Sequence, residues 1–172
     1  MKRMTITLVA LVAAVLIPLA TAAVINGTAQ ADELTGTAER DSIHARGGDD
    51  TAFGRGGRDL VWGESGDDQV SGNRGRDRVW GGAGQDTVKG GNGADVLLAG
   101  GPANDTVNGG GGGDRIAGDA GNDTLNGGAG DDVIAGGQGD DTITCGTGTD
   151  TVNADAGDTV GDDCEETAPA SP

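Results

Sequence analysis

The sequence predicts a repeat protein in which short units stack in a row. A nine-residue phrase recurs from Gly36 to about Val160, in fourteen copies. Each copy places Asp sixth and an apolar residue eighth. Large apolar side chains are scarce, with one Phe, two Trp and no Tyr beside 36 Gly, so a conventional core lacks material. Self-similarity at a fixed short period is the mark of stacked repeats, although the same composition without it would describe a disordered chain.

The chain opens on different material. Lys2 and Arg3 precede an apolar run from Ile6 to Ile25, broken only by Thr and Pro18. Ala29-Gln30-Ala31 then offers an A-x-A cleavage pattern. Residues 1–31 read as a secretory signal peptide, which leaves a secreted protein with no membrane span after cleavage. The run is also close to the length of a membrane anchor, the competing reading. Residues 32–35 are expected to be a short linker.

The repeat block follows. Its sixth-position residues are Asp41, Asp50, Asp59, Asp68, Asp77, Asp86, Asp95, Asp105, Asp114, Asp123, Asp132, Asp141, Asp150 and Asp158. The eighth positions include Ile43, Val61, Val79, Leu97, Ile116, Ile134 and Val152, with one residue inserted at about Ala99. With 28 acidic residues against 11 Lys and Arg, the net charge is −17, and the partner should be cationic. A nucleic-acid partner is excluded on the same ground.

Phrases such as "GGAGQDTVK", "GGNGADVLL" and "GGAGDDVIA" resemble the RTX (haemolysin-type) calcium-binding repeat, G-G-x-G-x-D-x-U-x. The resemblance covers about 125 residues. It implies an all-β fold, a parallel β-roll of about seven 18-residue coils over residues 36–164, with Ca2+ held between stacked turns. Elementary chemistry agrees. Glycine permits carbonyl-rich turns, and calcium takes six to eight oxygens from carboxylates and carbonyls. Aspartates stacked at about 4.8 Å would repel one another without a cation.

The copies are unequal. From Gly81 onward most turns keep the glycine pair, so Asp86, Asp95, Asp105, Asp114, Asp123, Asp132, Asp141 and Asp150 are the expected metal ligands. Before Gly81 the second position holds Thr37, Arg46, Arg55, Glu64 and Asn73. Asp41, Asp50, Asp59, Asp68, Asp77 and the terminal Asp158 are therefore expected to be weaker sites. Arg40, Arg58 and Arg76 recur every 18 residues along one edge, either offsetting the Asp ladder or simply solvated.

Ninth-position residues His44, Trp62, Trp80 and Leu98 should form one outward row. Such a row is a candidate surface for an extracellular glycan or cell-surface partner, or else it packs beneath a neighbouring segment. Thr87, Thr106, Thr124 and Thr142 should align on the other sheet, as suits strands. Cys145 and Cys164 are expected to form a disulfide that staples the last coil, and residues 165–172 to be a disordered tail. There is no H-E-x-x-H or G-x-S-x-G, and His44 is the single histidine, so no catalytic constellation is visible. The expectation is a calcium-binding structural or binding module and not an enzyme.

Overall fold

The computed structural model describes residues 21–168. They form a parallel β-solenoid of about eight turns with two facing sheets. Strands alternate between the sheets along the chain, so each pairs with the strand 18 residues on. Ile43 sits beside Val61, and Val107 beside Leu125. The strands are short, six residues in a typical coil, because each phrase contributes one strand and then turns.

A parallel sheet buried on its inner face needs one inward side chain per strand, and the eighth position supplies it. Ile43, Val61, Val79, Leu98, Ile116, Ile134 and Val152 line one sheet. Ala52, Val70, Val88, Val107, Leu125 and Ile143 line the other. All thirteen are at most 3 % exposed, so the core is a double row of aliphatics with no aromatic member.

Leu98, not Leu97, is the core residue of its coil, paired with Val79 and Ile116. The insertion therefore lies at Val96, between Asp95 and the strand Leu97–Pro102, and not at Ala99. A one-residue slip exchanges the two faces of a strand, which places Leu97 outward and ends the ninth-position row at Ala99.

The roll also starts earlier than Gly36. Val24–Asn26 pairs with Ser42–Gly47, and Glu33–Thr35 pairs with Thr51–Phe53. Within the expected linker Glu33–Thr35 is thus a strand, and Ile25 and Leu34 pack against the core. "GTAQADELT", with Asp32 and Leu34 one period before Asp41 and Ile43, is a further copy of the phrase. The charged and apolar start of the expected signal, residues 1–20, lies outside the described residues.

At the other end Glu166–Ala168 pairs with Thr151–Asn153, so the expected disordered tail begins with a strand. Cys145 takes the place of a first-position glycine and is fully buried; it is bonded to Cys164, with Cα atoms 5.2 Å apart. The bridge fastens the irregular last coil to the stack.

Candidate metal centre

Each sixth-position aspartate turns inward at an edge of the roll, where turn gives way to strand. Asp41 through Asp150 are 0–3 % exposed, and Asp158 is half-buried. Their Oδ1 atoms build two ladders. On one edge the N–H of Ala23 donates to Asp41 at 2.7 Å, that of Asp41 to Asp59, and that of Asp59 to Asp77. The ladder runs on through Asp95, Asp114, Asp132 and Asp150. On the opposite edge it runs from Asp32 through Asp50, Asp68, Asp86, Asp105, Asp123 and Asp141 to Asp158. Every coil is tied to the next by carboxylate as well as by sheet.

The other oxygen has no such partner. Oδ2 of twelve aspartates, Asp50 through Asp150, is buried and accepts no hydrogen bond. At the ends the protein supplies donors. Asp32 Oδ2 accepts from the Thr28 N–H at 2.6 Å, Asp41 Oδ2 from the Thr37 N–H at 2.5 Å, and Asp158 Oδ2 from the Asp155 N–H at 2.7 Å. Glu165 closes the first ladder, its Oε2 accepting from the Asp150 N–H at 3.1 Å.

First-position glycines explain where the orphan oxygens face. A Cβ on Gly54 would stand 2.5 Å from Asp59 Oδ2 and 2.8 Å from the Gly72 carbonyl of the next coil. A Cβ on Gly81 would meet Asp86 Oδ2 at 2.5 Å and the Gly100 carbonyl at 2.7 Å. Carboxylate and carbonyl oxygens thus converge on a bare Cα, in space that any side chain would fill.

Burial of these carboxyls disfavours their charged form. Desolvation, the largest cause, and neighbouring aspartates outweigh the stabilising N–H bond. Asp59, Asp86 and Asp114 are pushed up to about 7, and Asp95 and Asp105 to about 6. Asp50, Asp68, Asp77, Asp123, Asp132 and Asp141 are likewise raised, with desolvation the largest cause in each.

Calcium fits this donor set. Buried anionic oxygens without donors require a cation or a proton, and calcium prefers carboxylate and carbonyl oxygen. Among the described residues no three His, Cys, Asp or Glu side chains converge on one point, so backbone carbonyls must complete any shell. When bound, the ion supplies the positive charge that these oxygens lack.

The orphan oxygens do not respect the sequence-based division at Gly81. Asp50, Asp59, Asp68 and Asp77 are as buried and as unpartnered as Asp123, whereas Asp41 and Asp158 are satisfied by protein. The substituted turns keep the backbone path, since Arg46, Arg55, Glu64 and Asn73 all hold φ between 70° and 80°. Asp32 and Glu165 were the members missed by sequence reasoning, and the nine-residue phase alone could have found Asp32.

The ninth-position row is present but closed on itself. His44 stacks on Trp62 with centroids 4.3 Å apart, and Trp62 on Trp80 at 5.0 Å with planes 1° apart. The half-buried rings stack face to face, and His44 Nδ1 also pairs with Glu64 Oε1 at 3.0 Å.

Comparison with curated proteins gives no match. Comparison with known families matches the RTX calcium-binding nonapeptide repeat (4 copies) at residues 26–61, 62–97, 99–134, 108–143 and 126–160. These matches span the roll from its first coil to its last aspartate, and the chain belongs to the RTX calcium-binding repeat family.

Proposed function

We propose that this protein is an exported calcium-binding structural module whose folding depends on the ion, and that it catalyses no reaction of its own. One observation carries the reading: twelve buried carboxylate oxygens in register, each without a donor. A stack built this way gains folding free energy from a cation that binds only the assembled coils. Titration of the chelated protein with calcium, followed by circular dichroism, should restore strand signal in a saturable step at about 10⁻⁴–10⁻³ M, the range of extracellular modules. A strand signal indifferent to calcium and chelator would overturn the proposal.

Export follows from the N-terminal segment, with the cleavage point moved. Cutting after Ala31 would remove Val24–Asn26 and leave Asp41 Oδ1 without the Ala23 N–H. Ala20-Thr21-Ala22 is a second A-x-A pattern, and a cut there leaves the first coil intact. N-terminal sequencing of secreted protein should return Ala23, and Asp32 as the first residue would refute this site.

A further inference from the structure

Among the described residues the roll carries a strongly cationic cleft. Arg40, Arg58 and Arg76 each precede an aspartate of the same ladder and, with Arg78, border a cleft of about 240 Å3. Leu60, Asp59 and Val96 complete its walls. All four arginines are exposed, and among the described residues none has a carboxylate oxygen within 4.0 Å. Glu39, the acid next to Arg40, makes no ion pair with it. Asp59 is 1 % exposed, and its Oδ1 already accepts the Asp41 N–H.

Four guanidiniums are therefore gathered by the coil spacing with no counter-charge of their own. Side chains that only softened the Asp ladder would reach its oxygens, yet Oδ2 of both Asp59 and Asp77 stays unpartnered. The inserted Val96 lies at the cleft, where an extra residue in one coil re-aims the chain. Guanidinium forks match phosphate and sulfate oxygens in bidentate fashion, and several in a row suit a ligand bearing several such groups.

We propose that Arg40, Arg58, Arg76 and Arg78 form a binding site for a ligand carrying two or more closely spaced phosphate or sulfate ester groups. The site is short. Beyond it the ladder's fifth position becomes Ala94, Gly113 and Asp131, so a long polyanion such as nucleic acid would run onto acidic coils. Recognition is confined to about three coils and does not use the aromatic row.

The test uses the full calcium-loaded protein and isothermal titration. Sucrose octasulfate and a short glycerol-phosphate oligomer are the charged probes, with sucrose as the neutral one. The site predicts saturable binding of at least one charged probe, none of sucrose, and weakening as salt rises from about 0.05 to 0.5 M. Which charged probe binds tells sulfate from phosphodiester sources. The double variant R58Q/R76Q should lose affinity tenfold or more, whereas K89Q on the opposite sheet should change it less than twofold. Strand signal in calcium confirms that the variants fold, and R40Q/R78Q provides a second pair if one does not. Absence of binding, equal loss in K89Q, or tighter binding of a single-stranded oligonucleotide would overturn the assignment.

Discussion

The coils up to Trp80 and those from Gly81 follow one backbone path with different materials. Between residues 36 and 80 seven arginines face nine carboxylates, whereas between 81 and 166 two cations face seventeen. In the first region the second turn position holds Arg46, Arg55, Glu64 or Asn73 at φ 70–80°; in the second it is mostly glycine, as at Gly82 (φ 120°) and Gly91 (φ 109°). The first region adds the His44–Trp62–Trp80 stack, where each ring pair contributes about 0.5–1.5 kcal/mol beyond burial. The second has no aromatic side chain. The difference teaches that the turn shape belongs to the repeat and not to glycine alone. The early coils add side chains stacked from coil to coil, while the later ones combine glycine turns with a large excess of carboxylates.

Chelation should therefore separate the two regions most widely. With calcium removed at neutral pH, amide exchange in residues 81–160 should lose nearly all protection, while residues 42–80 should keep part of theirs. Uniform loss would erase the distinction. Acid should rescue both. A buried aspartate whose folded pKa is raised from 3.8 to about 7 binds its proton more tightly in the roll than in the open chain. The ion-free roll is then favoured below about pH 4 and loses that stability as pH climbs through about 6–7. In chelator, strand signal should be stronger at pH 4.5 than at pH 7.5, and calcium should abolish the difference.

Single ladder positions come next. Asp123→Asn keeps the Oδ1 acceptor for the Asp105 N–H but removes the anionic orphan oxygen. The calcium midpoint should rise about tenfold, equivalent to about 1.4 kcal/mol. Asp59→Asn should do nearly the same, because its oxygen is equally orphaned. Asp41→Asn should move the midpoint less than twofold, since Thr37 already serves its Oδ2. A small shift for Asp59 with a large one for Asp123 would restore the boundary at Gly81.

Most of this architecture was legible in the sequence, because a nine-residue phase fixes which residue meets which across coils. The inward aliphatics, the ladder aspartates and the Cys145–Cys164 pairing follow from that phase and from cysteine arithmetic. What escaped has physical causes. Val96, Leu97 and Leu98 are three aliphatics in succession, so composition cannot say which is the extra one; pairing with Val79 decides it. Val24 to Ile25 shares its apolar character with the export segment, which hid the first strand. The phase placed Trp62 beside Trp80 but not their face-to-face stacking, which depends on side-chain rotation. Glu165 closes a ladder from outside the repeat, where no phase points to it.

Fourth-position glycines offer a sharper cut than the second position. Gly93 holds φ 133°, and a Cβ there would run into the Gly75 carbonyl of the preceding coil. Gly93→Ala should cost at least about 2 kcal/mol, read as a fall in melting temperature at saturating calcium. Ala103 holds a positive φ of 109° at a fourth position without glycine. Ala103→Gly should raise the melting temperature, and a fall would show that the neighbouring Pro102 shapes that turn instead.

The smallest effect tests whether side chains at the second position carry a cost. Arg55 sits at φ 75°, a region that disfavours L-residues by about 1–2 kcal/mol. Glycine there removes that strain but loses about 0.5–1 kcal/mol of chain entropy on folding. Arg55→Gly should thus gain about 0.5 kcal/mol, or roughly 1–2 °C in a chain this long. Arg55 stands outside the cleft at Arg40, Arg58 and Arg76, and its N–H bond to Asn73 Oδ1 at 3.1 Å survives the change. The sign is the informative part. A gain means that the early coils tolerate strained turns and draw their stability from the stacked side chains. A loss of similar size would mean that the Arg55 side chain itself holds the coil, and that the two regions differ in what stabilises their turns as well as in what fills them.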